Sequence, residues 1–82
     1  MSWYSETFNK YNSLYVSDNY YLKLLGNTIT IMTKPKRFRK PKAVFNICMA
    51  LDSFNEYVME FILDSFGFYK CKEVEEKWLE KN

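Results

Sequence analysis

Residues 34–42 restrict the fold of this chain more than any other segment, because they can join neither a helix nor a central strand. Six of the twelve basic residues lie within this segment, and two prolines interrupt it. Proline removes a backbone donor, and so dense a charge cannot be buried without partners. The segment must therefore lie in solvent or against an anion, and we call it the basic arm. Its cations are Lys34, Lys36, Arg37, Arg39, Lys40 and Lys42.

Two short apolar runs precede the basic arm and predict a β-hairpin. Residues 20–25 and 28–33 flank Gly26 and Asn27, and a two-residue loop that begins with glycine suits a type II′ turn. The implied register opposes Leu25 with Thr28, Leu24 with Ile29 and Leu22 with Ile31. One face of the hairpin is then strongly apolar, and it needs a cover because an isolated hairpin is unstable in water.

The N-terminal segment predicts a helix over residues 3–14. Its aromatic residues recur at offsets of four, seven and eleven, which place them on one stripe of an α-helix. These residues are Tyr4, Phe8, Tyr11 and Tyr15. The alternative is a strand over residues 14–16, ended by the polar turn that follows.

Apolar residues recur at spacings of three and four after the basic arm and predict one long amphipathic helix over residues 42–66. The stripe expected to face the core is Val44, Ile47, Cys48, Leu51, Phe54, Val58, Phe61 and Ile62. Gly67 suits the end of such a helix. The alternative is two helices, since Ser53 and Glu56 have the spacing of a capping box. A last short helix is predicted over about residues 71–81.

The predicted fold class is α+β in one small domain, residues 1–82, with the basic arm as an exposed loop. Its elements are an N-terminal helix, a two-stranded antiparallel β-hairpin, the basic loop, a long amphipathic helix and a short C-terminal helix. A chain of 82 residues forms a small core, so aromatic packing or a second subunit should contribute to stability. One interpretation is a homodimer in which the arm of one copy docks on acidic residues of the other.

The residue inventory argues against catalysis, a metal or a bound cofactor. The chain has no histidine, which removes the usual general base for a serine or cysteine nucleophile. Cys48 and Cys71 are isolated from each other, so we expect reduced thiols and no zinc site. Neither of the two glycines lies in a loop that could cradle a phosphate. We therefore expect a protein that is not an enzyme.

The basic arm predicts binding to nucleic acid, with RNA or single strands preferred. Clustered lysine and arginine neutralise phosphates and release counterions. Phe38 suits stacking on an unpaired base, with Tyr20, Tyr21 and Lys23 of the hairpin as further contacts. Single strands are favoured because no recognition helix carries base-reading side chains. The alternatives are a solvated loop that aids solubility, or a loop anchored by Phe38 in the core.

A second hypothesis is binding to another protein. Asp52, Glu56, Glu60 and Asp64 recur every four residues and would form an acidic stripe on the long helix. The apolar residues that project beside this stripe are Phe45, Met49, Met59 and Leu63, and such a surface usually has a partner. It suits a stoichiometric inhibitor or antitoxin-like counter-defence protein that engages a host nuclease or toxin through the basic arm or through the face of Glu56 and Glu60. An ordinary solvated helix face is the alternative.

Composition and the N-terminus bear on origin and location. Residues with AT-rich codons dominate, since Phe, Tyr, Met, Ile, Asn and Lys make up 39 of the 82 residues. This composition is typical of a small regulator encoded by an AT-rich bacterium or its phage. The chain shows neither a signal peptide nor an apolar run of membrane-spanning length, so we expect a cytoplasmic protein that does not bind membranes.

Overall fold

The computed structural model describes residues 3–71, which form two helices and five strands in two antiparallel sheets. In chain order the elements are α1 (Trp3–Leu14), β1 (Tyr15–Val16), β2 (Tyr20–Leu25), β3 (Thr28–Thr33), β4 (Ala43–Cys48), α2 (Glu56–Ser65) and β5 (Tyr69–Lys70). This is a mixed α+β fold, but its layout differs from the predicted one. The C-terminal helix predicted over about residues 71–81 extends beyond Cys71 and so lies outside the described residues.

The N-terminal helix and the hairpin of β2 and β3 form where they were predicted. The two strands pair Leu25 with Thr28, Leu24 with Ile29 and Leu22 with Ile31, as the sequence implied. Gly26 has a φ of 61° and Asn27 a negative φ, which together suit a type II′ turn. A residue with a Cβ is strained at this φ, so glycine is the residue that the turn requires.

The prediction of one long helix over residues 42–66 is wrong, because the first part of this region is strand β4. β4 pairs with β3 and extends the hairpin to a three-stranded sheet in the order β2-β3-β4. Phe45 and Ile47 are residue types that strands favour. The pairing also satisfies the second edge of β3, whose Ile29 and Ile31 are completely buried.

α2 is a separate and shorter helix with a well-formed N-terminal cap. Asn55 precedes it in an extended conformation, and the Asn55 side-chain oxygen accepts a hydrogen bond of 3.0 Å from the Val58 N–H. The break in the helical region therefore exists, but the capping residue is Asn55 and not the predicted Ser53. Residues 49–55, which connect β4 to α2, form turns and irregular structure and no helix.

Gly67 ends α2 as predicted. It has a φ of 82°, and its N–H donates to the Asp64 carbonyl while the Phe68 N–H donates to the Leu63 carbonyl. This pair of bonds is the Schellman motif, which satisfies carbonyls that the last helical turn leaves open. Leu63 and Phe68 are both buried, so the motif also turns the chain back onto the core.

The core lies between one face of the three-stranded sheet and both helices. Its buried residues are Tyr11, Leu14, Tyr15, Leu22, Ile29, Ile31, Ile47, Met49, Met59, Leu63 and Phe68. Part of the predicted tyrosine stripe of α1 belongs to this cluster, and Tyr4 and Phe8 pack against it. Both helices therefore supply the cover that the apolar face of the hairpin needs.

α2 buries a different face from the predicted one. Met59 and Leu63 are completely buried, whereas Val58 and Phe61 are 38% and 72% exposed. Six of the ten residues of α2 are apolar, so apolar residues occupy most of its circumference and their spacing does not select one face. The packing partners in the sheet make that selection.

A second ladder joins the end of α1 to the segment after α2. In this ladder β1 and β5 oppose Tyr15 with Lys70 and Val16 with Tyr69. The Cys71 N–H extends it with a bond of 2.6 Å to the Leu14 carbonyl. Over residues 3–71, neither helix has the length and apolar character needed to cross a membrane.

The orientation of α2 predicts a large loss of stability for one side-chain truncation and a small change for another. Met59→Ala should lower the free energy of unfolding by about 2–5 kcal/mol, because it leaves a cavity in the core. Phe61→Ala should change it by about 0.5 kcal/mol or less, since the Phe61 ring is largely in solvent. Urea denaturation followed by circular dichroism measures both values. A larger loss for Phe61→Ala than for Met59→Ala would contradict the observed face.

Candidate functional site

The basic arm is an extension of the β3–β4 hairpin. The Thr33 N–H donates to the Lys42 carbonyl at 2.8 Å, and the Lys42 N–H donates to Thr33 Oγ1 at 2.9 Å. The Lys34 N–H donates to the Asn19 carbonyl at 2.9 Å, which ties the arm to the segment before β2. These bonds hold both ends of the arm, so it leaves the sheet in a defined direction.

A tight turn closes the outer end of the arm. Lys36 and Arg39 exchange two backbone hydrogen bonds of 3.2 and 2.9 Å, which leaves Arg37 and Phe38 at the tip. The Phe38 side chain is 90% exposed, and the Arg37 guanidinium carbon lies 5.4 Å from the centroid of the Phe38 ring. Phe38 therefore does not anchor the arm in the core.

Five of the six cations of the arm line one concave surface at its base, which we call the basic pocket. The pocket has a volume of about 540 Å³ and is lined by Asn19, Tyr20, Thr33, Lys34, Lys36, Arg39, Lys40 and Lys42. A fully extended arm would place Arg39 on the opposite side from Lys36. Because the chain reverses at the tip, these two residues oppose each other and project to the same face.

The positive charge of the basic pocket is not neutralised within the described part of the chain. No carboxylate belongs to the lining residues. Over residues 3–71, the one ion pair joins Lys70 to Glu60, whose charged atoms are 3.6 Å apart, and it connects β5 to α2. Cations that find no counter-charge among residues 3–71 repel one another, so an anion in the basic pocket is electrostatically favoured.

Of the two hairpin tyrosines that the sequence suggested, Tyr20 lines the basic pocket and Tyr21 does not. Tyr20 opposes Thr33 at the last pair of the β2–β3 ladder, directly beside the arm. Its ring meets that of Phe66 edge-on, with 5.5 Å between centroids. Tyr21 and Lys23 project from the other face of β2 and do not line the pocket. The predicted register already implied that Tyr20 lies opposite Thr33, so this signal was present in the sequence.

The apolar part of the predicted protein-binding surface is not assembled. Met49, Met59 and Leu63 are buried in the core, where no partner can reach them. Phe45 is 42% exposed, but it lies on β4 and contacts the ring of Phe66. The surface was inferred from helical spacing across residues that do not share a helix.

The acidic stripe of this surface is shorter than predicted. Asp52 lies before α2, so only Glu56, Glu60 and Asp64 remain on one helix. Glu56 begins the helix, where the dipole favours a negative charge. Glu60 pairs with Lys70. Two of the three carboxylates therefore have a structural explanation.

A second polar cluster joins α1, β1, α2 and β5. The Lys70 ammonium lies 5.7 Å from the centroid of the Tyr15 ring and beside Glu60. Burial raises the pKa of Tyr11 to about 12, and the negative charges of Glu56 and Glu60 add to this effect. Burial also raises the pKa of Tyr15, against the opposing effect of Lys70. Phenols of raised pKa stay neutral near pH 7, so both rings pack in this cluster without a charge of their own.

Among residues 3–71, metal ligands and thiols indicate no further site, and known proteins add no functional information. Within residues 3–71, no three cysteine or carboxylate side chains are grouped so as to hold a metal ion. Cys48 and Cys71 are unpaired thiols. Comparisons with protein-family models, with curated proteins and with solved structures find no match. The basic pocket and the tip of the arm are therefore the candidate functional site.

The raised pKa of Tyr11 predicts a loss of stability in alkali. Tyrosine ionises near pH 10 in the unfolded chain and near pH 12 here, so the folded state holds its proton longer and stability falls as the pH rises above 10. At about pH 11 the contribution is about 1 kcal/mol. Tyr11→Phe should lose that much less stability than the unmodified chain between neutral pH and pH 11, as measured by urea denaturation. Tyr57→Phe, at an exposed position, is the control, and equal losses in the two variants would refute the assignment.

Proposed function

We propose that this chain is a non-enzymatic nucleic-acid-binding protein that holds single-stranded nucleic acid, RNA in particular, on its basic arm. The observation that supports this most strongly is the convergence of five cations on one concave surface that no described carboxylate lines. A phosphate backbone is the abundant polyanion that such a surface fits. Binding would release the counterions that surround the phosphates, which is favourable at low salt.

The tip of the arm supports a preference for unpaired bases. Phe38 is 90% exposed, and the Arg37 guanidinium carbon lies over its ring, 5.4 Å from the centroid. A base that is not paired can stack on such a ring, while neighbouring cations contact its phosphates. A base within a duplex is already stacked and offers the ring no free face.

Duplex DNA is the competing ligand within the same function. A two-stranded β-ribbon can enter a major groove, and the arm is a ribbon of this kind. The tip presents Arg37, which could read a base edge, together with the apolar ring of Phe38, which has no role in reading a groove. The exposed ring therefore favours the single strand.

The protein-binding alternative has less support. Its apolar residues Met49, Met59 and Leu63 are buried, and its acidic stripe is interrupted before α2. A binding surface needs accessible side chains at its centre. The basic arm meets that requirement, whereas three of the four apolar residues of the predicted surface are buried.

The first test of the proposed function is the salt dependence of binding to a short single-stranded RNA. Five phosphate contacts predict a log–log slope of affinity against salt of about −3.5. The double variant Lys36→Glu with Lys40→Glu should weaken binding and reduce the magnitude of the slope to about 2 or less. Fluorescence anisotropy measures both. The matched control, Lys10→Glu with Lys23→Glu, carries the same charge change outside the basic pocket and should bind more tightly than the first variant. Equal losses in the two variants would show that net charge alone drives binding.

The second test isolates the aromatic contact at the tip. Phe38→Ala should weaken binding to single-stranded RNA by about 5- to 100-fold, the range for loss of one base–aromatic stack. The salt slope should stay unchanged, because no charge is removed. Affinity for a duplex of the same sequence should change little. If Phe38→Ala has no effect on the single strand, the tip does not stack on a base.

A further inference from the structure

The basic pocket concentrates its charge at one place. Lys34, Lys36, Lys40, Lys42 and Arg39 all line the same concavity of about 540 Å³. A groove that follows a nucleic-acid backbone usually distributes its cations along the length of the strand. Here five cations share the lining of one concavity, and this difference bears on the ligand.

The charge of the ligand should match that density. An internal phosphodiester carries a single negative charge. A terminal phosphate monoester carries a charge of about −1.5 to −2 near pH 7 and offers three strong acceptor oxygens. Several cations in one pocket attract the doubly charged group more strongly than a singly charged one, because the additional charge strengthens each electrostatic interaction in the basic pocket.

The backbone of the arm leaves the recognition to side chains. The N–H groups of Lys34, Lys36, Arg39 and Lys42 already donate to oxygens of the protein. Arg39 supplies a planar fork of donors that can bind two phosphate oxygens at once, and the lysines supply point charges around it. The reciprocal bonds between Lys36 and Arg39 hold the base of both side chains on one face of the ribbon.

From this geometry we infer that the basic pocket binds the terminal phosphate monoester of a nucleic-acid strand. The inference rests on the proposed function and deepens it, since it names the part of the strand that the pocket holds. Arg37 and Phe38 lie outside the lining, so they remain available to the nucleotides that follow the end. The phosphate chemistry is common to a 5′ and a 3′ end, and the experiment separates them.

The test compares three forms of one short single-stranded RNA, with a 5′-phosphate, a 3′-phosphate or hydroxyl groups at both ends. We expect one phosphorylated form to bind about tenfold more tightly than the hydroxyl form at physiological salt, as charged hydrogen bonds predict. Arg39→Gln with Lys40→Gln should abolish this preference while leaving weak binding of all three forms. Lys10→Gln, at a position outside the lining of the pocket, is the control and should retain the preference.

The pH dependence gives a second readout. The second ionisation of a phosphate monoester lies near pH 6, so the preference should grow between about pH 5.5 and about pH 7.5. Among residues 3–71, the charged and titratable groups that line the pocket are Lys34, Lys36, Arg39, Lys40, Lys42 and the phenol of Tyr20. The chain has no histidine, the side chain that ordinarily titrates in this interval. The change in preference therefore reports the ligand.

The outcomes distinguish the two levels of the proposal. Equal affinity for all three RNA forms would overturn the terminal-phosphate inference and leave the proposed function standing. A preference that persists in Arg39→Gln with Lys40→Gln would also overturn it, because the end would then bind elsewhere. Absence of binding to every form would overturn the proposed function itself. Circular dichroism on each variant confirms that it is folded.

Discussion

The pairing of β4 with β3 is the interaction on which the rest of this structure depends. It puts β3 at the centre of the sheet, where Ile29 and Ile31 have no contact with solvent. It also brings the two ends of the basic arm together, since Thr33 and Lys42 are hydrogen-bonded to each other. Without this pairing the arm would be an extended connection, and its cations would have no common surface.

The basic arm holds like charges close together, which opposes folding. Water and salt weaken repulsion between exposed cations, but the repulsion grows as the side chains converge. Backbone hydrogen bonds at the base of the arm and near its tip hold the ribbon against this repulsion. A ligand that binds only the folded arm stabilises it by mass action, so anion binding and the order of the arm are thermodynamically linked.

Elements with local signals were predictable, and the strand that follows the arm was not. The hairpin register follows from Gly26 and the strands beside it, and all of its predicted pairs occur. Between residues 43 and 51, Val44, Ile47 and Leu51 have helical spacing, while Phe45 and Ile47 also alternate as in a strand. The open edge of β3 decides between these two patterns, and that edge is distant in sequence.

The sequence by itself determined that residues 34–42 stay in solvent, because no small core can bury so many cations interrupted by proline. It also determined the apolar face of the β2–β3 hairpin. Only the tertiary structure decided that Arg39 joins the lysines and that Phe38 stands at the tip. The physical reason is that these positions depend on a chain reversal and on pairing between distant strands, neither of which local residue spacing encodes.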